Sequence, residues 1–266
     1  MTRGFVILCS FCLILLGGYL AFSRWAIRHD AVALFDASRD RPVALEITAL
    51  RDSERRAAAG LVILPVALIS QGNTVKNTEY SFLANVLAAR GYLVVSIQHD
   101  LPTDAPLVTK PGALYAGRLP EYQRAEKSIF YVIGELKKIQ PNADYGHLTM
   151  VGHSNGGDIS MFFAQKHPDL VKTVITLDNL RVPCLTAGTA KILSFRSKDL
   201  QPDRGVVPSE AQSIKAGIKI IQTDAQHVEM SDRGPDRIKE SIGEMLDQFL
   251  NDDDSTLPGP DTISQP

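Results

Sequence analysis

Ser154 stands in Gly152-His153-Ser154-Asn155-Gly156-Gly157, a G-x-S-x-G pattern. Leu148–Val151 before it reads as a buried strand, and Gly157–Lys166 after it reads as a helix, so the serine belongs on a strand-to-helix bend. Glycines suit such a bend because a side chain at either flank would collide with neighbouring backbone. The bend lifts the hydroxyl clear of the sheet, and the helix N-terminus behind it favours developing negative charge. Serine alone is a weak nucleophile and needs a base. In this arrangement the chain order is serine, acid, histidine, and only His167 and His227 lie downstream. His167 precedes Pro168 at the far end of the helix that the serine opens, so it reads as a helix-end residue. His227, in Thr223-Asp224-Ala225-Gln226-His227, follows the last strand and is the expected base. For the acid that orients it, Asp199 is the first choice, Asp178 the second and Asp203 the third. Each aspartate can equally be read as a turn or cap residue. Acyl transfer also needs donors for an oxyanion: the main-chain N–H of Asn155, and that of Asn73 in Gln71-Gly72-Asn73-Thr74.

These residues must be delivered by a repeating framework. Val66–Ser70, Leu93–Ile97, Leu148–Val151, Thr173–Leu177, Ile192–Phe195 and Ile218–Gln222 read as buried strands. Helical patterns lie between and after them, over 80–90, 121–139, 157–166, 208–216 and 235–250. The last carries a stripe of Ile238, Ile242, Met245, Leu246 and Phe249. Strand and helix in alternation predict an α/β protein with a mainly parallel central sheet and helices on both faces. Its chemistry belongs at the carboxyl ends of the strands. The segment 42–49 alternates and is expected as an antiparallel edge strand. The charged run 51–56 is expected as a solvated turn.

The chain has 266 residues, 44% hydrophobic and 22% charged, which excludes a disordered or fibrous protein. Lys plus Arg is 28 and Asp plus Glu is 30, a net charge of −2, which argues against nucleic acid as the main partner. Of three cysteines only Cys184 lies in the body, so no internal disulfide holds it together there. No His/Cys cluster has zinc spacing. Arg3, the apolar run Phe5–Leu16 and the exit Ala21-Phe22-Ser23 predict a signal peptide over 1–23, with export to the periplasm or outside the cell. The rival reading is a membrane anchor over the same residues. Residues 251–266, NDDDSTLPGPDTISQP, are acidic and proline-rich and are expected as a disordered tail. The folded domain is then 30–250.

Taken together, Ile69-Ser70-Gln71-Gly72-Asn73-Thr74, Gly91-Tyr92-Leu93-Val94-Val95 and Gly152-His153-Ser154-Asn155-Gly156 resemble the α/β-hydrolase family. The branch they resemble is that of platelet-activating-factor acetylhydrolases and dienelactone hydrolases. The resemblance runs from Pro42 to Phe249. It implies the α/β-hydrolase fold, a serine esterase, lipase, thioesterase or peptidase needing no cofactor, and Ser154, His227 and Asp199 as nucleophile, base and acid. One departure is Gln71, where the family commonly has histidine before the oxyanion glycine.

The resemblance and the residues together lead to a serine hydrolase acting on a small-molecule carboxylic ester. The alternatives are a non-catalytic binding protein on the same fold, or an acyltransferase or peptidase using the same triad. The stretch between His99 and Tyr122 is expected to roof the pocket, with Leu107, Leu114 and Tyr115 making the roof apolar. Asn179–Ala190 is the second segment over the site. Both are short, which predicts a shallow pocket and a small or medium acyl chain. His99 and Asp100 are adjacent on a strand end and point in different directions, so they are not read as a metal pair.

Overall fold

The computed structural model describes Gly18 and residues 26–254. Continuous apolar runs become the central strands because both faces of a parallel sheet are covered. The eight strands among the described residues are β1 (Ile27–Asp36), β2 (Arg41–Leu50), β3 (Leu64–Ser70), β4 (Leu93–Ile97), β5 (Ala143–His153), β6 (Val171–Leu177), β7 (Lys191–Arg196) and β8 (Ile218–Gln222). They form one sheet in the order β1-β2-β4-β3-β5-β6-β7-β8. β1–β2 and β2–β4 are antiparallel, and every other pairing is parallel.

The helices are α1 (Arg51–Ala58), α2 (Ser81–Ala89), α3 (Leu119–Ile139), α4 (Asn155–Lys166), α5 (Glu210–Ala216) and α6 (Asp236–Asp254). Side chains of α3 and α4 pack with Val66 and Leu68 on one face of the sheet. Those of α2 and α6 pack with Ala67 and Ile69 on the other. The alternation of these four β3 residues between two cores is the period of a strand buried on both sides. The stripe on α6 is buried at Ile238, Ile242, Leu246 and Leu250. Burying each such side chain contributes about 1.5–3 kcal/mol.

Four expectations are corrected at the periphery. The strand expected over 42–49 is present and antiparallel, but β1 lies outside it and is the edge. β1 is exposed at half of its residues, and its apolar residues run together over Ala31–Phe35, so its sequence gives little alternation to read. The run 51–56 is a helix. Asp52 and Glu54 lie in its first turn and Arg55 and Arg56 in its last, the arrangement that complements a helix dipole, while only Ala57 is buried. Among the described residues, β1 starts at Ile27, ahead of residue 30. The folded part also passes 250, because α6 continues to Asp254. The rest of the expected tail, and the expected leader apart from Gly18, lie outside the described residues. Among the described residues no helix is long and apolar enough to cross a membrane.

Two local constraints aim the framework at the bend after β5. A Cβ on Gly152 would come within 2.1 Å of the Gly156 carbonyl oxygen, and one on Gly156 within 2.0 Å of the Ser70 carbonyl oxygen. Both neighbours are main chain, so neither can swing aside. The second constraint is at the start of β2. Arg41 donates to Asp104 at 2.8 Å and to the His99 carbonyl at 2.7 Å, pinning the segment that leaves β4.

Two outcomes follow from these contacts. Gly156→Ala should lose at least about 3 kcal/mol, read as a fall in the urea midpoint, because the methyl overlaps backbone. The Arg41 hydrogen bond lowers the Asp104 carboxyl to about 2. A carboxyl lowered in the folded state stabilises it above the unfolded value and ceases to do so as pH falls through the folded one. Wild type should therefore exceed Arg41→Met by about 1 kcal/mol at neutral pH, allowing for solvent screening. The gap should close between about pH 4 and pH 2 in acid-dependent unfolding.

Candidate active site

The bend after β5 forces Ser154 to φ 54°, ψ −120°, a conformation that non-glycine residues hold only when their surroundings compel it. Its N–H donates to the Leu177 carbonyl at 2.8 Å, which ties the bend to β6. Ser154 remains half-exposed while both its neighbours, His153 and Asn155, are buried. The hydroxyl is thus presented outward from an otherwise closed turn.

His227 arrives from the loop after β8, at the start of a short 3₁₀ turn over His227–Glu229. Its Nε2 lies 2.9 Å from Ser154 Oγ, and its Nδ1 lies 2.6 Å from Asp178 Oδ2. With Nδ1–H donating to the carboxylate, Nε2 is the acceptor for the serine hydroxyl. The structure thus joins Ser154 and His227, as the sequence predicts, and joins the second-choice aspartate to them instead of the first.

The reason lies in strand order. β6 is the immediate neighbour of β5, and His153 pairs in register with Leu177, so Asp178 stands one strand away at the level of Ser154. Asp199 follows β7, one strand further out. It turns its Oδ1 to the main-chain N–H of His227 at 2.7 Å, leaving the ring nitrogens to other partners. Asp199 therefore braces the histidine loop. Asp203, the third choice, pairs with Arg181. His167 bonds Glu126 at 2.6 Å on the far end of α4, the helix-end position expected for it.

Asp178 is fully buried and also has positive φ, 58°. Its Oδ2 accepts from the Ser197 hydroxyl at 2.6 Å, and its Oδ1 from the Ser197 N–H at 3.2 Å. Arg196 Nη2 faces Oδ1 at 2.9 Å, and Arg196 is itself almost wholly buried. Burial raises the carboxyl, but the His227 hydrogen bond, the Arg196 charge and Ser197 together outweigh it and hold Asp178 below the usual carboxylate range. Sequence reasoning missed Arg196 as part of the site. The available signal was a cation closing the otherwise uncharged run Ile192–Phe195, immediately before a strand-end loop.

On the other side of Ser154, Asn155 opens α4, so its N–H is among those without an intrahelical acceptor. Asn73 lies in the loop after β3, where Gly72 donates its N–H to Tyr80 Oη at 2.8 Å. Gln71 fills the place of the usual histidine. Its carbonyl accepts from the His99 N–H at 3.1 Å, and its amide donates to Asp100 at 3.2 Å. The side chain is thereby committed to the β4 loop. Asn155 Nδ2 donates to Glu121 at 2.7 Å.

The segment expected as an apolar roof is held chiefly by charge, through Arg41–Asp104 and Arg124–Asp100. Tyr115 packs on Tyr122 and Phe162, and Leu114 is exposed. His99 and Asp100 point to separate partners, Ser70 Oγ and the Gln71–Arg124 pair. A groove of about 640 Å³ between α2 and α6 takes no residue of the Ser154 site.

The comparisons agree with this architecture. Residues 112–204 match the description "alpha/beta hydrolase fold". No curated protein matches the sequence. Among solved structures, Est1E from Butyrivibrio proteoclasticus superposes with a TM-score of 0.59 at 14% identity, covering 85% of this chain and 99% of the other. An S-formylglutathione hydrolase from Agrobacterium tumefaciens gives 0.58 at 15%, covering 85% and 94%. A dienelactone hydrolase-like promiscuous phosphotriesterase from metagenomic libraries gives 0.57 at 12%, covering 85% and 98%. Sheet order, serine bend and these likenesses converge: the chain has the α/β-hydrolase fold.

Proposed function

We propose that the protein is a serine hydrolase that cleaves a small-molecule carboxylic ester through an acyl-enzyme on Ser154. The observation that carries this reading is the hydrogen-bonded series Ser154–His227–Asp178, at 2.9 and 2.6 Å, with the serine held at positive φ. A ferulic acid esterase and the S-formylglutathione hydrolase among the structures sharing its fold support it.

In this reading, His227 takes the proton as Ser154 Oγ attacks the ester carbonyl. Asp178 holds the Nδ1–H tautomer and stabilises the imidazolium. The main-chain N–H groups of Asn155 and Asn73 receive the oxyanion, and collapse expels the alcohol with the proton from His227. Water then repeats the sequence on the acyl-enzyme and releases the acid. Gln71 does not argue for a binding protein that has lost catalysis. Its side chain is engaged by His99 and Asp100, and the proposed donors are main chain. The short segments flanking the site favour a small or medium acyl chain.

A fluorophosphonate should label Ser154 in wild type and leave Ser154→Ala unlabelled, and only wild type should turn over a chain-length series of nitrophenyl esters. A folded wild-type protein that neither labels nor hydrolyses any of them would overturn the reading.

The two aspartates separate cleanly. Asp178→Asn should lower kcat by about 10²–10⁴, because an amide in place of the carboxylate no longer favours the productive histidine tautomer. Asp199→Ala removes an acceptor for one main-chain N–H and should cost less than about tenfold. Steady-state kinetics on one ester gives both numbers, and the reverse order would reassign the acid.

A further inference from the structure

His153, the residue before the nucleophile, is nearly fully buried and takes no part in the chemistry proposed above. Its two ring nitrogens are nevertheless both engaged. Nδ1 lies 3.0 Å from Tyr80 Oη, and Nε2 lies 2.9 Å from the main-chain carbonyl oxygen of His227. Tyr80, also buried, accepts the Gly72 N–H at 2.8 Å.

The direction of these bonds is determined. A carbonyl can only accept, so His153 Nε2 carries the proton. Nδ1 is then the acceptor, and the Tyr80 hydroxyl donates to it while receiving from Gly72. The series runs unbroken from the main chain of the turn that holds Asn73 to the main chain of His227. It also passes through the side chain adjoining Ser154. A Cβ on Gly72 would come within 2.8 Å of His153 Nδ1, so the turn sits hard against the ring. The His153 ring in turn packs 4.9 Å from that of His227.

We propose that the Tyr80–His153 pair is a positioning strut that fixes the spacing between the oxyanion turn and the loop carrying His227. The proposal rests on the hydrolase reading and goes beyond it, since the strut touches neither substrate nor reacting atoms. Burial, with the neighbouring His227 as the second cause, lowers His153 to about 3, so the ring stays uncharged beside the imidazolium formed during turnover. A second cation there would oppose the very proton transfer that the site performs.

The test compares Tyr80→Phe, His153→Leu, their double variant and His153→Gln with wild type on one nitrophenyl ester. Loss of either partner should lower kcat about 10- to 100-fold and leave KM within about twofold, as expected for a displaced catalytic group. The double variant should be no worse than the poorer single one, because both remove the same strut. His153→Gln, which keeps a donor for the His227 carbonyl, should recover much of the loss. Wild-type kcat in folded Tyr80→Phe, additive losses, or an effect confined to KM would overturn the proposal. If His153→Leu does not fold, Tyr80→Phe alone decides.

A readout without substrate separates this proposal from the hydrolase reading. Nitrogen-15 NMR of labelled histidine, assigned through His153→Gln, should show His153 protonated at Nε2 only at neutral pH, with its Nδ1 signal shifted by Tyr80→Phe. An Nδ1–H tautomer or an imidazolium would refute the strut even in an active enzyme. The expected signals in a protein that hydrolyses nothing would leave the strut standing while the hydrolase reading failed.

Discussion

Everything at the site depends on two stretches of main chain crossing with no side chain between them. Gly156, in the first turn of α4, lies so close to the end of β3 that a methyl group would overlap the Ser70 carbonyl oxygen. The same closeness brings the Asn73 loop and the α4 N-terminus to one place, with Ser154 between them. The positive φ of Ser154 is the local cost, of order 1–3 kcal/mol, and the packed cores on both faces of the sheet offset it. A serine in a relaxed strand-to-helix connection would lie lower, among the buried residues that flank it.

His227 reaches this point from 73 residues away in the chain, so its loop must be anchored independently of the bend. Arg233 forks onto Glu79 with two contacts of 2.8 Å. Asp232 accepts from the Ser81 N–H at 2.8 Å, supplying α2 with a cap that no adjacent residue provides. The Asp232 N–H donates back to the Glu79 carbonyl at 2.9 Å. The segment after His227 is therefore clasped to the segment after β3. Asp199 and the Lys198–Ala225 main-chain bond hold it from the β7 side. Three loops separated in sequence thus behave as one assembly.

Much of this was legible in the sequence because two-sided burial leaves a strong signature. β3 and β4 are apolar but for Ser70 and Ser96, and glycines mark a bend that tolerates nothing larger. Elements with one solvated face were harder to read. β1 is exposed at half of its residues, and α1 carries five charged residues over Arg51–Arg56. Ser154 and His227 could be located because each follows a strand and few alternatives exist. Asp178 and Asp199 both follow strands, and local sequence cannot say which strand adjoins β5. That is a matter of sheet order. Arg196 and the Tyr80–His153 contact were unreadable for a related reason. Each depends on a partner at least 18 positions away, and no periodicity or spacing encodes it.

The buried Arg196 beside Asp178 has a consequence for how charge is distributed through a catalytic cycle. At rest, the guanidinium and the carboxylate balance one another, and burial keeps the His153 ring beside them uncharged. In the proposed reaction, one positive imidazolium and one negative oxygen appear together as the proton moves. The summed charge of these groups does not change in that step. A cation and an anion held this close present their neighbours with a dipole, whose field falls off faster with distance than that of a lone ion.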